Sequence, residues 1–228
     1  MQLENVTTLR RDDEKRRYDD ACAAAHGMDL IGERWSMPLI RELLLGPRRF
    51  GDLKVSLNGI SANVLTQRLE GLEAAGVLIR RKLPPPASVQ VYELTPWGYE
   101  AAPIFQALGR WAVRSPRHDA TRPFSPVSLM LSLRTMMNSK SAGALDARIR
   151  IDMAGEHYFW IRSGDDVKIG RGSIDAPDLV LRGTPSEIAA YVYAGAPLSS
   201  IEAEGDLRLA KRLPSLFPMP DKAQPSHG

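Results

Sequence analysis

The stretch Gly59-Ile60-Ser61-Ala62-Asn63-Val64-Leu65-Thr66-Gln67-Arg68-Leu69 decides the fold of the N-terminal half of this 228-residue chain. A serine ahead of an apolar repeat predicts a helix that Ser61 caps and that Gly76 ends. The inward face of this helix repeats at i, i+4 and i+7 and comprises Leu65, Leu69 and Leu72. Its outward face carries four short polar side chains: Ser61, Asn63, Thr66 and Gln67.

Two further helical patterns precede this stretch. Apolar side chains recur at helical spacing until Gly46-Pro47 stops them, which predicts one buried helix containing Leu30, Ile31, Trp35, Leu39, Ile40, Leu43 and Leu44. A short helix is predicted over residues 50–57, and Asn58-Gly59 ends it. A short helix and a turn before a third helix with a polar face indicate a helix-turn-helix.

A hairpin follows the third helix. Val77 to Leu83 and Val89 to Thr95 alternate in the manner of strands, and Pro84-Pro85-Pro86 joins them. We interpret this hairpin as a wing, with Arg80, Arg81 and Lys82 placed to reach a DNA backbone or minor groove. A charged strand edge is also a common protection against aggregation.

The charge distribution agrees with contact to nucleic acid. Nine basic and four acidic side chains lie between Arg34 and Lys82, a net of +5 in a chain whose formal charge is +3. The polar groups at positions 61, 63, 66 and 67 suit hydrogen bonds to base edges, and three arginines suit phosphates: Arg48, Arg49 and Arg68. The alternative is an ordinary solvated helix face.

After the wing, Thr95 to Gly98 begins another helix. Its apolar stripe comprises Ile104, Phe105, Leu108 and Trp111. A protein that reads paired half-sites needs a dimer surface, and this stripe is a candidate for it. The stripe would serve equally well to complete a hydrophobic core.

The N-terminal half is similar to the HxlR family of MarR-type winged-helix transcription regulators. The matching residues are Cys22, Gly32-Glu33-Arg34-Trp35, Ile40-Arg41-Glu42-Leu43, Gly46-Pro47-Arg48-Arg49-Phe50, Gly59-Ile60-Ser61, Leu65-Thr66-Gln67-Arg68-Leu69, Leu72-Glu73, Gly76 and Tyr92-Glu93-Leu94-Thr95-Pro96. The resemblance implies a homodimer whose third helix enters the major groove and whose wings touch flanking DNA.

Cys22 is the single cysteine, which excludes an intramolecular disulfide and suits a reducing compartment. Some members of the resembled family carry a thiol here that senses oxidants or electrophiles. Arg16 and Arg17 would lower the pKa of the Cys22 thiol if they folded against it. The alternative is a small buried cysteine without redox activity.

The C-terminal half predicts a second domain. We divide the chain into a domain over residues 1–117, a linker over 118–125 and a domain over 126–220. A helix opens at Ser125-Pro126, alternating segments with turn residues predict an antiparallel sheet, and a capping box at Thr184 and a final segment predict two more helices. The predicted fold class is α+β: a winged helix-turn-helix followed by an antiparallel sheet with helices packed on it.

The order of these elements resembles the sterol carrier protein type-two-like fold over residues 126–217. That resemblance implies an apolar cavity for a fatty or sterol-like ligand between the helices and the sheet. Seven methionine, leucine and aromatic side chains are candidates to line it: Met130, Leu133, Met137, Tyr158, Trp160, Tyr191 and Tyr193. The alternative is that they belong to the core.

Several kinds of chemistry lack a motif. The four histidines are scattered, no glycine-rich phosphate loop occurs, and Gly-x-Ser-x-Gly is missing, so we predict no metal site, no cofactor and no enzymatic activity. The chain contains no segment approaching a membrane span and does not begin with a signal peptide, which favours a cytoplasmic protein without a membrane partner.

The sequence therefore predicts a dimeric transcription regulator, a repressor of a palindromic double-stranded DNA operator, modulated by an apolar or lipid-like small molecule in the C-terminal domain. One alternative is a regulator governed by oxidation of Cys22. Another is a lipid-binding protein whose winged half mediates protein contacts.

Overall fold

Two sets of elements appear along the chain in a computed structural model that describes residues 18–224. Within that range, one unit comprises the residues up to Ile40 together with Arg48–Gly98, and the other comprises Arg41–Pro47 together with the residues from Tyr99 onward. The predicted domain limits at residues 117 and 126 stay a prediction.

The first set of elements has helical and hairpin segments in the predicted order, except that the helix predicted to run from Thr95 to Trp111 is two helices, the first ending at Tyr99 and the second beginning at Ala102. They are α1 (Ala23–Ile31), α2 (Ser36–Leu43), α3 (Phe50–Ser56), α4 (Ala62–Ala74), β1 (Leu78–Lys82), β2 (Gln90–Leu94) and α5 (Pro96–Tyr99). The strands are antiparallel, with Leu78 opposite Leu94 and Lys82 opposite Gln90. Leucines of α3 and α4 are buried in this unit, together with side chains of α2 and both strands.

Helix α4 forms as its sequence predicts. The Ser61 hydroxyl caps it by accepting a hydrogen bond from the backbone N–H of Val64 at 3.2 Å. Its three leucines, at positions 65, 69 and 72, are at most 2% exposed. The predicted alternation of an apolar inner face and a polar outer face is therefore confirmed for this helix.

The single long helix predicted before Gly46 is wrong. Helix α1 ends at Ile31, and the backbone N–H of Gly32 closes it by donating to the carbonyl of Met28. Trp35 then adopts a φ of 80°, which lies in the left-handed region and cannot continue a right-handed helix. The apolar spacing passes through this break unchanged, so the sequence pattern alone did not reveal it.

The second set contains a five-stranded sheet and the remaining helices. The elements are α6 (Ala102–Ala112), α7 (Pro126–Met136), α8 (Ser139–Ala142), β3 (Ala147–Met153), β4 (Glu156–Ser163), β5 (Asp166–Arg171), β6 (Leu179–Arg182), α9 (Pro185–Tyr193), a 3-10 turn (Leu198–Ser200), β7 (Glu202–Gly205) and α10 (Leu207–Leu216). Ser125 and Thr184 cap α7 and α9 with their hydroxyls, and a proline follows each cap.

The strand order is β5-β4-β3-β6-β7. The pairs β3–β4, β4–β5 and β6–β7 are antiparallel, as predicted, but β3 and β6 are parallel. Residues 172–178 carry the chain from β5 at one edge to the far side of β3. Because β3 and β6 are joined by this crossover and not by a hairpin, they can pair in parallel. The α+β fold class is confirmed, with a mixed sheet in place of a purely antiparallel one.

The core of this unit lies on one face of the sheet. Side chains alternate along β3, so that Ile149 and Ile151 are buried while Arg148 is exposed. The buried face packs against apolar side chains of α7, α9 and α10. Within residues 18–224, no helix has the length and apolar character needed to cross a bilayer.

Candidate functional site

The outer face of α4 presents the polar side chains that the sequence singled out. Ser61, Asn63, Thr66 and Gln67 are all exposed. The Ser61 hydroxyl is engaged as the helix cap, whereas no described residue hydrogen-bonds the side chains of the other three. Asn63, Thr66 and Gln67 thus form a row of available donors and acceptors near the N-terminus of a rigid helix, which is the chemistry that base edges require.

Arg68 on the same helix is already paired. Its Nη2 lies 3.2 Å from Oε2 of Glu33, and its side chain is 21% exposed. The Nε of Arg68 is buried without a hydrogen-bond partner among the described residues. Because a carboxylate neutralises this guanidinium, Arg68 offers less to a phosphate than an arginine in open solvent.

Arg48 and Arg49 are neighbours in different surroundings. Arg48 is 7% exposed, and its backbone N–H and C=O exchange hydrogen bonds with Tyr92 at 2.9 and 2.8 Å, which ties the start of α3 to β2. Arg49 is exposed, and its guanidinium has no ion pair with a described residue. Of this pair, Arg49 has the placement that a phosphate contact requires.

The wing carries its three cations on β1, and all three are exposed. Arg80 lies 3.0 Å from Glu73 and stacks over the Tyr92 ring at 5.5 Å. Arg81 pairs with Glu93. Lys82 has no charged partner within the described part of the chain, so it is the wing cation that remains available to an external anion.

The carboxylates of Glu33, Glu73 and Glu93 are the residues that sequence reasoning missed. These three carboxylates form ion pairs with Arg68, Arg80 and Arg81, respectively. The ion pairs distinguish the cations that the protein already neutralises from those that remain available to DNA. Each ion pair joins residues from different segments of the chain. No fixed spacing along the sequence predicts such ion pairs. The DNA-contact roles of all ten predicted residues stay a prediction.

The apolar stripe of α6 points away from the described core. Ile104, Leu108 and Trp111 are exposed, with Trp111 reaching 74%. Phe105 is half-buried on another side of the helix. Three large apolar side chains at i, i+4 and i+7 on an exposed helix face are typical of a contact surface.

Cys22 is exposed and occupies the N-cap position of α1. The nearby backbone N–H groups of Ala25 and Ala24 lower the pKa of the thiol. Its own N–H donates to Asp20 at 2.9 Å. The small buried cysteine considered above therefore does not describe this thiol, and Arg16 and Arg17 lie outside the described residues.

The predicted ligand-binding residues lie mainly in the core. Met130, Leu133, Tyr158, Trp160 and Tyr191 are buried, and Met137 and Tyr193 pack against them. Leu133 and Trp160 border a space of about 10 Å³, which is too small for a ligand. Tyr193 alone among the seven lines a larger cavity. The proposed role of these residues in binding a ligand stays a prediction.

Comparison with known proteins gives a family match over the N-terminal half. A family model described as HxlR-like helix-turn-helix matches residues 30–119.

Within residues 18–224, no group of three or more histidine, cysteine, aspartate or glutamate side chains is arranged to hold a metal ion.

Three curated relatives are transcriptional regulators. The uncharacterized HTH-type transcriptional regulator YvaP of Bacillus subtilis (strain 168) is 35% identical over 86 residues, which are 37% of this chain and 79% of YvaP. The HTH-type transcriptional regulator YodB of the same strain is 34% identical, over 36% of this chain and 74% of YodB. The uncharacterized HTH-type transcriptional regulator sll1512 of Synechocystis sp. is 38% identical, over 38% of this chain and 64% of that relative.

Proposed function

Because the chain belongs to the HxlR-like helix-turn-helix family of DNA-binding transcriptional regulators, we propose that it is a dimeric repressor of a palindromic operator. The single observation that carries the proposal is the exposed row of Asn63, Thr66 and Gln67 on α4, whose polar groups lack partners among the described residues. In this proposal α4 enters the major groove and these side chains read base edges.

Charge placement supports a division of roles. Arg49 at the start of α3 and Lys82 on β1 are exposed and unpaired within the described chain, so we assign phosphate contacts to them. Arg80 and Arg81 keep a supporting role in the wing because glutamates already pair with them. Arg48 holds α3 against β2 through its backbone.

The exposed stripe of α6 supports the dimer. Burial of Ile104, Leu108 and Trp111 against the same stripe of a second copy would remove a large apolar area from water. Two copies related by a twofold axis would present two α4 helices to two half-sites, which is the physical reason for a palindromic operator.

The test is binding of the full chain to the intergenic DNA upstream of its own gene. Fluorescence anisotropy at physiological salt would compare this duplex with a scrambled duplex of the same composition. We expect nanomolar, selective binding that weakens steeply as salt increases. Weak and unselective binding would refute the proposal and favour the lipid-binding alternative, in which the winged half contacts proteins.

We further propose that an apolar or lipid-like small molecule modulates DNA binding from the C-terminal region, residues 126–220. The helices that pack on one face of the mixed sheet support this sterol carrier protein-like interpretation. Five of the seven side chains expected to line the ligand site belong to the buried core. We therefore place the ligand in the open cavity that Tyr193 lines. The proposal includes no catalytic step and no cofactor, and places the protein in the cytoplasm with its DNA.

A second candidate mechanism is regulation through Cys22. The thiol is exposed, so an oxidant can reach it, and its pKa is lowered from the ordinary value, which favours the reactive thiolate form. The test is the effect of hydrogen peroxide on operator binding by the natural chain and by Cys22→Ser. Loss of the response in Cys22→Ser, with an unchanged response to lipids, would favour this mechanism.

A further inference from the structure

A cavity of about 590 Å³ lies in the second unit, away from the predicted ligand residues other than Tyr193. Its walls come from α6, α7 and α9, from the connection between α6 and α7, and from Arg41 of α2 and Met219 after α10. Pockets for small organic ligands commonly measure roughly 300–1,000 Å³. The space is therefore large enough for a ligand, in contrast to the space of about 10 Å³ beside Trp160.

The walls of this cavity are largely apolar and include three aromatic rings. The rings belong to Phe105 on α6, Phe124 before α7 and Tyr193 on α9. Leu131 and Met136 of α7 and Ala189 of α9 add aliphatic surface. Aromatic and aliphatic walls together favour an occupant with an apolar ring system.

The arginine and histidine side chains that line the cavity are all basic, and no acidic side chain is among the described lining residues. The basic side chains are Arg41, His118 and Arg122. The Nε and Nη2 of Arg41 donate hydrogen bonds to Oε1 of the buried Glu42, at 3.1 and 2.8 Å. The Nη1 of Arg41 has no hydrogen-bond partner among the described residues. Arg122 pairs with Asp119 at 3.3 Å, but its side chain is 82% exposed.

A further cation, Arg134, contacts a side chain of the cavity lining. With the Gln106 amide oxygen turned toward Arg134, that oxygen accepts from Nε at 3.0 Å and from Nη2 at 3.2 Å. Arg134 has no ion pair with a described carboxylate, and burial lowers the pKa of its guanidinium. Gln106 itself lines the cavity, so the Arg134 guanidinium is separated from the lining by one side chain.

A hydroxyl pair completes the polar part of the lining. The Ser132 hydroxyl lies 2.9 Å from the Tyr193 hydroxyl, and both residues line the cavity. Burial raises the pKa of Tyr193, so its phenol stays protonated near neutral pH. The wall thus offers neutral hydrogen-bond donors beside cationic ones, and the carboxylates next to it, those of Glu42 and Asp119, are each engaged by an arginine of the lining.

We infer that this cavity binds a monocarboxylate with an apolar, ring-containing body. The rings and aliphatic side chains accept the body, and the N–H groups of Arg41 and Arg122 that their ion pairs leave unused donate to the carboxylate. The inference rests on the proposed function, since it names the ligand class and the place of the small-molecule modulation.

Helix α6 connects the cavity to the surface assigned to dimer formation, so a ligand in the cavity can affect dimerisation. Phe105, Gln106 and Gly109 face the cavity, whereas Leu108 and Trp111 of the same helix form part of the exposed stripe. A ligand that shifts α6 would therefore alter the surface assigned to dimer formation. Two readouts, ligand binding and DNA binding, keep these steps separate.

The test is isothermal titration calorimetry of the full chain with three probes that share one ring system: 2-naphthoate, 2-naphthalenemethanol and 2-naphthylmethylamine. We expect one naphthoate per chain, bound at least about tenfold more tightly than the alcohol, because only the carboxylate accepts a charge-assisted hydrogen bond from arginine with both partners ionised. The amine is expected to bind more weakly than the alcohol. Equal affinity of naphthoate and the alcohol, or no binding of naphthoate, would overturn the inference.

Variants locate the site. Ala190→Phe fills the cavity from α9 and should weaken naphthoate binding at least about tenfold, whereas Ala144→Phe, at an exposed position outside the lining, should not. Arg122→Gln should weaken binding measurably and Arg117→Gln, on the same connection, should leave it unchanged. Unchanged binding in a folded Ala190→Phe protein would overturn the location.

The probe series uses the unaltered chain, so its result does not depend on how any variant folds. Operator binding, measured separately by anisotropy, distinguishes the two levels of the proposal. Selective DNA binding without naphthoate binding would refute only the inference. Naphthoate binding without selective DNA binding would refute the regulator and leave a carboxylate-binding protein.

Discussion

Arg68 on α4 and Glu33 in the segment between α1 and α2 form an ion pair, with 3.2 Å between Nη2 and Oε2. This contact changes how the basic surface is interpreted. Arg68 carries a charge on the helix proposed to enter DNA, but that charge is largely satisfied within the protein. Arg49 lacks such a pair among the described residues and is exposed.

We therefore expect Arg49→Gln and Arg68→Gln to affect DNA binding differently. Removal of one cation that contacts a phosphate should reduce the slope of log affinity against log salt by about one. Arg49→Gln should show this reduction and weaken specific and scrambled duplexes alike, and Arg68→Gln should change the slope by less than half as much. Salt titrations by anisotropy would measure both, and equal slope changes would contradict the pairing argument.

Gln67→Ala should weaken recognition of the operator. A bidentate contact between glutamine and adenine contributes about 1–3 kcal/mol of discrimination, so the preference for the operator over a duplex altered at one base pair should fall accordingly. The measurement is competition anisotropy with a set of single-base operator variants. Val55→Ala, at an exposed apolar position on α3, is the matched control and should retain the full preference. An unchanged preference in Gln67→Ala would remove Gln67 from base reading.

Trp111→Ala should weaken the proposed dimer. Tryptophan side chains at the centre of an interface commonly contribute about 2 kcal/mol or more to association, so the dissociation constant of the dimer should increase at least about thirtyfold. Sedimentation equilibrium over a range of concentrations would measure it. Trp97→Ala is the control, because Trp97 is also an exposed tryptophan, at 51%, but lies on α5, outside the stripe. If both variants dimerise like the natural chain, α6 is not the interface.

Gly98→Ala should destabilise the N-terminal unit. A Cβ at position 98 would lie 2.1 Å from the carbonyl oxygen of Val77, so backbone atoms must move. We expect a decrease of about 1–3 kcal/mol in the free energy of unfolding, as is usual for overpacking. Gly71→Ala provides the contrast: a Cβ there meets nothing within 4 Å, and alanine in a helix interior should stabilise by about 0.5–1 kcal/mol. Urea unfolding would measure both, and similar midpoints would refute the steric argument.

Periodic patterns predicted individual elements well. The three leucines of α4, the Ser61 cap and the Thr184 capping box all lie where local spacing placed them, because caps and amphipathic faces depend on residues within a turn or two of each other. The break at Trp35 was missed, since the apolar spacing continues through it and the left-handed φ leaves no mark in the pattern.

The candidate sites were predicted less completely than the elements. Exposure of Asn63, Thr66 and Gln67 followed from helix periodicity, whereas the pairing of Arg68 with Glu33 depends on how separate segments meet. The ligand prediction chose side chains by type, and most of those side chains fill the core. The open cavity is lined instead by residues such as Gly109, Ser128 and Thr135, which no composition argument would select.

By itself, the sequence determined where helices and strands occur in both halves, though not every break between helices. It also determined the polar face of α4 and three of the four residues in the apolar stripe of α6, because these features depend on residues close along the chain. Only the tertiary structure decided that β6 joins β3 in parallel, which arginines are neutralised, and where a cavity remains. These features depend on contacts between distant segments, whose geometry is set by packing of the whole unit and is not encoded in any local spacing.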